Sequence, residues 1–360
     1  MEVNAIVYGA AAKLVEEVLD TDLCSGCGAC IGYCPYIKTI GERVAVIHDC
    51  NICEGVCYRV CPRASTNYQL LRQEVFGSAQ FDPVLGTYEN MYFARAGNEL
   101  IHTKGQYGGV VTAIFAYALK QGLIEGALMT GGDFTRTKPA VVSTVNEMLA
   151  CTGSKYTASP TLSLFQEAVK KGFQNIGIVG RPCQVTAARK MQEVTEIKGE
   201  RISLVVGLFC MESFTPDFYD YIKENNLDEY YRMDIPKDVQ FERNGENIFV
   251  PFDEVRKFVC KSCYSCFDPL SELADLSVGS TEHDPGWNTL IVRTEKGAEL
   301  VKKAVARGVI ETKPYPKELL PLLRKAVFYK KKRVLEGPDT NYLELTPYER
   351  KYFLATGVDV

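Results

Sequence analysis

The sequence predicts a mixed α/β protein in which a short cysteine-rich module precedes a larger core. Two dense cysteine runs lie within the first 61 residues, and apolar segments with strand or helix periodicity alternate beyond about residue 76. With 360 residues, of which 46% are hydrophobic, the chain is long enough for about two domains. We place the module at residues 1–75, the core at 76–320 and a polar C-terminal tail at 321–360.

Charge and hydropathy argue against a nucleic-acid-binding, secreted or membrane-spanning protein. The formal net charge is −4, so nothing indicates a nucleic-acid partner. The chain begins without a secretory signal pattern, and no apolar run reaches the ~18 residues of a transmembrane segment. Fourteen cysteines, many spaced as C-x-x-C, indicate metal ligation in a reducing compartment rather than disulfides. We expect a cytoplasmic protein, either free or peripheral to a membrane complex.

The first cysteine run, "CSGCGACIGYCP", has the spacing of bacterial ferredoxins that carry two [4Fe-4S] clusters. A second run also ends in Cys-Pro but has one extra residue between its second and third cysteines. Because the cysteine before proline ligates the other cluster in such ferredoxins, we predict a ferredoxin-like module with crossed ligation. One cluster would take Cys24, Cys27, Cys30 and Cys61, and the other Cys50, Cys53, Cys57 and Cys34. Two zinc sites are the alternative.

Five further cysteines predict a third cluster in the core. Three form another C-x2-C-x2-C run, and two follow apolar strand-like segments, whose ends are where α/β folds place cofactors. The five are Cys183, Cys210, Cys260, Cys263 and Cys266. A cluster needs four of them. The alternative for Cys183 and Cys210 is that each is a small buried core residue.

The remaining segments predict the elements of the core in order. Helical spacing is found in 108–124, 160–173, 184–194, 214–226 and 295–308, and strand-like runs in 126–132, 140–145, 175–180, 202–210 and 286–294. The segment "RVAVIHD" predicts a short strand in the module. The basic run "FYKKKR" near the end predicts a solvated tail or a docking arm for a partner.

Several residues of the core are candidates for binding a phosphate or a flavin. Gly108 and Gly109 precede a helix, whose free N–H groups suit a phosphate. Ser154, Lys155 and Thr157 add donors, and His283 lies in a glycine-rich loop. Neither a G-x-G-x-x-G fingerprint nor a P-loop is present. An ordinary turn at the glycine pair and a solvated lysine are the alternatives.

Ordered motifs between about residues 90 and 300 resemble the beta subunit of coenzyme F420-reducing hydrogenases and formate dehydrogenases. They are "GGVVTAI", "GSKYT", "VGRPCQVTA", "GLFCMESF" and "CYSCFDPLSELADLSVGS", followed by "GWNTLIVRT". The last cysteine motif also resembles plant hydroxymethyl-chlorophyll reductases. The resemblance implies a bound FAD in the mixed α/β core, an iron–sulfur cluster close to it and often a ferredoxin module.

The resemblance also implies roles for residues. The third cluster would be held by Cys183, Cys210, Cys263 and Cys266, with Cys260 as the alternative to Cys183. Together with the candidates above, the flavin-binding residues are Gly108, Gly109, Thr112, Gly153, Ser154, Lys155, Tyr156, Thr157, Arg181, Gln184 and His283. No side chain need act as a catalytic acid or base, since hydride passes directly between the flavin and coenzyme F420.

We therefore expect an oxidoreductase that exchanges hydride with coenzyme F420 at FAD. It would pass single electrons through [4Fe-4S] clusters to or from another subunit of a hydrogenase, dehydrogenase or heterodisulfide-reductase-like complex. One alternative is a ferredoxin-dependent flavin reductase of another organic substrate. The other is an electron-wiring subunit without a substrate of its own.

Overall fold

The computed structural model describes residues 9–40, 43–48, 50–77, 81–281 and 283–355. The N-terminal segment has short elements, as its loop-rich, cysteine-dense sequence predicts. They are α1 (Ala10–Leu14), which continues as a π-helical turn over Val15–Leu19, β1 (Ile37–Ile40), β2 (Arg43–Val46), α2 (Val56–Arg59), β3 (Thr66–Asn67) and α3 (Tyr68–Phe76). Strands β1 and β2 pair antiparallel, which confirms the strand predicted between the cysteine runs.

The core alternates strands and helices, as predicted. Its strands are β4 (Asn90–Ala96), β5 (Gly126–Gly132), β6 (Thr137–Val142), β7 (Ile176–Gly180), β8 (Ile202–Leu208), β9 (Arg232–Asp234), β10 (Val239–Arg243), β11 (Glu246–Val250), β12 (Leu276–Ser280), β13 (Asn288–Val292) and β14 (Ile310–Pro314). Its helices are α4 (Glu99–Lys104), α5 (Val110–Lys120), α6 (Val145–Ala150), α7 (Phe165–Lys170), α8 (Pro182–Gln192), α9 (Asp217–Glu224), α10 (Phe252–Val255) and α11 (Glu295–Ala306).

Eight of the described strands form one mixed sheet in the order β14-β4-β13-β12-β8-β7-β5-β6. The four neighbours β12, β8, β7 and β5 are parallel, and the outer pairs are antiparallel. Every residue of β7 is buried, which explains its continuous apolar run "IGIVG". Parallel strands bring their carboxyl ends to one edge, so the segments after β7 and β8 lie side by side there.

A smaller antiparallel sheet, β11-β10-β9, packs beside the main sheet. Its apolar side chains, among them Met233, Phe241 and Val250, form a separate buried cluster with Phe214 and Phe218. Aromatic rings dominate this cluster: Phe214 and Phe218 lie 4.3 Å apart between centroids. The periodicity of the sequence did not predict this sheet.

The C-terminal segment is not the solvated tail that the basic run predicted. It folds into α12 (Leu320–Glu336), β15 (Leu343–Glu344) and α13 (Pro347–Leu354). Lys330 is 3% exposed and Lys331 is fully buried. Lys331 tolerates burial because it pairs with Glu272 at 2.5 Å and donates to the carbonyl oxygen of Pro83. The run is polar in sequence, but Lys330 and Lys331 are buried inside the fold.

One apolar core joins the N-terminal, central and C-terminal segments. It includes Leu14 and Leu71 from the first, Val185 from the second, and Val334 and Phe353 from the third. The predicted domain limits at residues 75 and 320 therefore fall within a continuous packing unit. Within the described residues, no helix combines the length and apolar character needed to cross a bilayer.

Candidate functional site

The first cysteine site combines the two N-terminal runs. Cys24, Cys27, Cys30 and Cys61 line one small pocket, which is the set predicted from crossed ligation. Burial raises the pKa of the Cys24 thiol to about 11 and that of Cys27 to about 12, with neighbouring thiols adding to both. Thiols this buried and crowded suit a bound metal cluster, because metal coordination deprotonates a thiol outright.

The second cysteine group lies nearer the surface. Burial raises the pKa of Cys57 to about 11, and Cys34 and Cys50 contribute to that rise, which places the three thiols near one another. Cys53 is exposed. Cys34 therefore lies beside the second run rather than in the pocket of the first, as crossed ligation predicts.

The third cysteine site brings together all five core candidates. Cys183, Cys210, Cys260, Cys263 and Cys266 line a single pocket. The fold explains their meeting: Cys183 lies in the first turn of α8, directly after β7, and Cys210 follows β8. The remaining three lie on the loop before β12. Five thiols surround a site that needs four, so the structure keeps both Cys183 and Cys260 as candidates.

Arginine side chains complete the third site. The Arg181 guanidinium donates to the Ser213 hydroxyl at 2.8 Å, while its second terminal nitrogen is buried without a hydrogen-bond partner. Burial lowers the pKa of Arg181, but the thiols of Cys183 and Cys210 outweigh this and raise it. A partly buried cation with a buried, unsatisfied donor among sulfurs fits an anionic iron–sulfur cluster. The predicted cofactor residue Arg181 thus lies against the cysteine site.

Arg63 reaches the same pocket from the N-terminal segment. Its terminal nitrogens donate to the carbonyls of Ser262 and Ser265, both at 3.1 Å, and to the hydroxyl of Tyr342. Its Nε is buried without a partner. The sequence analysis missed Arg63, and its only signal there was its position directly after the Cys-Pro of the second run.

The first and third sites are neighbours. Ser25 lines both pockets, and Cys183 contributes to the raised pKa of both Cys24 and Cys27, after the larger effect of burial. The backbone N–H of Leu162 donates to the carbonyl of Cys27 at 3.1 Å. A Cβ on Gly28, whose φ is +83°, would lie 2.5 Å from the Pro160 carbonyl, so glycine permits this close docking.

Among the described residues, no group of three or more His, Cys, Asp or Glu side chains has the geometry of a single-ion metal site.

The glycine pair before α5 has a packing role. A Cβ on Gly108 would lie 2.6 Å from the Ala94 carbonyl, and Gly109 has a φ of +70° with its Cβ position 2.7 Å from the Ile101 carbonyl. Both glycines are therefore required by the chain itself. Thr112, in the first turn of α5, lies 3.2 Å from Thr152 between hydroxyl oxygens. The glycine motif thus contacts the residue that directly precedes "GSKYT".

Lys155 is held by its own loop. Its ammonium donates to the carbonyls of Cys151, Thr152 and Gly153 at 2.7, 3.1 and 3.0 Å. Burial lowers the pKa of Lys155 to about 8, although Cys151 and Asp133 oppose the change. All three of its donors are used at the end of α6, where a cation also complements the helix dipole. Lys155 therefore shapes the "GSKYT" loop.

Asp234 connects this loop to the smaller sheet. Its carboxylate accepts hydrogen bonds from Tyr107 at 2.5 Å and from Tyr156 at 2.8 Å. Tyr107 precedes the glycine pair and Tyr156 belongs to "GSKYT", so one aspartate holds both predicted flavin motifs. The sequence analysis missed Asp234, because it stands alone after a short strand and belongs to none of the quoted motifs.

The predicted flavin motifs also border the third cysteine site. Thr157 forms a β-bridge with Phe214, which bridges Val259 in turn. Gln184 donates to the carbonyl of Ser159 at 3.0 Å. The hydroxyl of Thr157 is buried without a partner. An orphaned hydroxyl beside the motif leaves a donor for a bound polar group.

His283 does not join these residues through any described hydrogen bond, and its side chain is exposed. It is His102 that contacts the glycine-rich loop, with its Nε2 2.9 Å from the carbonyl oxygen of Gly286. The sequence pattern pointed to the histidine within the loop rather than to His102. His102 lies in α4, and the fold brings that helix beside the loop.

Comparison with known families identifies two adjoining matches. Residues 91–166 match the family described as coenzyme F420 hydrogenase/dehydrogenase, beta subunit N-term, and residues 173–318 match the C terminus of the same beta subunit. Residues 17–36 match a 4Fe-4S binding domain. The last match covers the first cysteine run.

Individual relatives agree with these matches. The coenzyme F420 hydrogenase subunit beta of Methanothermobacter thermautotrophicus is 36% identical over 263 residues, which are 69% of this chain and 94% of the relative. The coenzyme F420-dependent sulfite reductase of Methanocaldococcus jannaschii is 33% identical over 81% of this chain, which spans about half (47%) of that relative. A chain of the F420-reducing [NiFe] hydrogenase complex from Methanosarcina barkeri has a TM-score of 0.67 at 34% identity, covering 75% of this chain and 99% of its own.

Proposed function

The chain belongs to the coenzyme F420 hydrogenase/dehydrogenase beta subunit family, and we propose that it is a flavoprotein linking hydride transfer to single-electron transfer. It is an oxidoreductase of the F420 hydrogenase/dehydrogenase type. Its proposed reaction exchanges hydride with coenzyme F420 at a bound FAD. Its proposed partner is another subunit of a hydrogenase, dehydrogenase or heterodisulfide-reductase-like complex.

The observation that carries this proposal is the contiguity of the candidate sites. The "GSKYT" loop is joined to the third cysteine site by the Thr157–Phe214–Val259 bridges. The third site shares Ser25 with the first, and the first exchanges one cysteine with the second in the crossed arrangement. Redox centres at these places would form one line through the molecule, from the flavin motifs to exposed Cys53.

Bound FAD would supply the exchange between a hydride and two single electrons, and [4Fe-4S] clusters would supply the single-electron path. The chain's own residues hold and shape these places. Asp234 fixes the two tyrosines, Lys155 fixes the loop that precedes Tyr156, and Gly109 caps the start of α5. Arg181 would face a cluster bound at the third cysteine site.

The relative named as a coenzyme F420-dependent sulfite reductase supports a variant of this proposal. This chain spans about half (47%) of that protein. In the variant, the electrons that leave this chain serve the reduction of another substrate elsewhere, and the flavin-side chemistry is unchanged. The ferredoxin-dependent flavin reductase is a different alternative, because its other substrate would react at the flavin itself.

The test is anaerobic mixing of the purified full chain with reduced coenzyme F420. The proposal expects bound FAD, about twelve irons per chain at four per cluster, and bleaching of the flavin's visible absorbance. Reduced nicotinamide serves as the control donor and should leave the flavin oxidised. Absence of any reaction with coenzyme F420 would contradict the proposal. If only a partner subunit reduces the chain, the wiring-subunit alternative is correct.

A further inference from the structure

Two buried cations and one partly buried cation surround the third cysteine site, and they come from three different parts of the chain. Arg181 follows β7, Arg63 follows the second cysteine run, and Lys330 lies in α12. Arg63 and Arg181 line the pocket itself. Lys330 donates to the carbonyl of Met211, the residue after Cys210 and a lining residue of the same pocket.

The burial of these cations is costly unless an anion offsets it. Arg63 is 4% exposed and Lys330 is 3% exposed. No carboxylate lies within ion-pair distance of Arg63, Arg181 or Lys330 among the described residues. Their hydrogen bonds go to carbonyls and hydroxyls, which leaves their charge without a matching carboxylate.

We propose that Arg63, Arg181 and Lys330 form a cationic shell that raises the reduction potential of a cluster bound at the third cysteine site. This inference rests on the proposed function, since it assumes that a cluster binds there. A cluster with four thiolate ligands is an anion, and reduction makes it more negative. Nearby positive charge inside a protein therefore stabilises the reduced form more than the oxidised form.

Two members of the shell lie outside the regions that match the family. Those regions are residues 91–166 and 173–318, whereas Arg63 precedes them and Lys330 follows them. The N-terminal and C-terminal segments therefore do more than extend the chain. Each inserts one cation beside a site whose cysteines belong to the family core, so the added segments set the charge around that site.

Arg63 has a second effect because of its position between two sites. Arg63 lines the pocket of the third site. It also directly follows Cys61 and Pro62, which line the pocket of the first site. Removal of Arg63 should thus affect two clusters, and removal of Lys330 should affect the third site most.

The test is a redox titration of the anaerobically purified full chain, followed by electron paramagnetic resonance, with iron content measured for each variant. Lys330→Gln removes the charge but can still donate to the Met211 carbonyl. At a fixed potential, it should lower the reduced-to-oxidised ratio of one cluster about tenfold, which is ~59 mV for one electron. Arg63→Gln should lower two potentials. The control is exposed Lys325→Gln on the same helix as Lys330, which should change no potential.

The outcomes separate the inference from the proposed function. Full iron content with unchanged potentials in both Gln variants would overturn the inference. If Lys330→Gln loses iron, Lys330→Arg decides: recovery of iron and of the native potential supports a role for the charge, and failure to recover them overturns it. A wild-type chain that lacks the third cluster's signal would instead contradict the proposed function.

Discussion

Arg63 donates a hydrogen bond to the carbonyl of Ser265 at 3.1 Å, although 202 positions separate them in the chain. The contact joins the end of the second cysteine run to the loop that holds Cys263 and Cys266. It makes the N-terminal segment part of the wall of the third cysteine site. The predictions below test this connected arrangement from its separate parts.

Cys61→Ser should remove the cluster at the first cysteine run, although Cys61 belongs to the second run in sequence. The reason is its place in the pocket of Cys24, Cys27 and Cys30. We expect a loss of about four irons per chain. Cys34→Ser should have its effect at the second group instead. Loss of the same spectroscopic signal in both variants would contradict the prediction that Cys61 and Cys34 bind different clusters.

Lys331→Met should destabilise the protein by about 3–5 kcal/mol, because it leaves Glu272 buried without its partner. Burial raises the pKa of Glu272, and Lys331 limits that rise. The apparent Tm measures the effect. The double variant Lys331→Met/Glu272→Leu removes both charges and should recover much of the loss. An unchanged Tm in the single variant would show that α12 is not part of the packed core.

Asp234→Ala should loosen the connection between the smaller sheet and the flavin motifs. It removes the acceptor of three hydrogen bonds, two from tyrosine hydroxyls and one from the N–H of Ile235, and hydrogen bonds to charged groups contribute about 1.5–3 kcal/mol each. We expect a lower Tm and a lower FAD content after gel filtration. Asp228→Ala, an exposed aspartate before the same sheet, is the matched control. Equal FAD contents in the two variants would exclude this role for Asp234.

The lowered pKa of Lys155 should make the stability of the protein depend on pH. Burial lowers its pKa from 10.5 to about 8, so between these values the unfolded chain binds more protons than the folded chain. Stability should therefore rise with pH across this window, by up to roughly 3 kcal/mol. Lys155→Met should remove that part of the slope when Tm is measured from pH 8 to 10.5. An identical slope in both proteins would contradict the assignment.

The fold class and the cysteine sets could be predicted from sequence because their signals are local. The cysteine spacing in the run that contains Cys24 is enough to predict a ligand loop there. Strands such as β7 have a continuous apolar pattern. Arg63, Asp234 and Lys330 could not be found this way. Each contacts residues that are distant in the chain. Lys330 is buried because α12 packs against the core, which the run of basic residues around it does not predict. Spacing alone likewise does not decide which four of the five core cysteines would bind a cluster at the third site.

The most direct test of the account follows electrons in Cys61→Ser after mixing with reduced coenzyme F420. In the proposed line of redox centres, the third site lies between the flavin motifs and the first site. Flavin bleaching and reduction of the third cluster should therefore persist in Cys61→Ser. Reduction of a one-electron protein acceptor should fall at least tenfold relative to the wild-type chain, because the path to the surface is interrupted. Undiminished reduction of the acceptor would contradict the proposed line of redox centres.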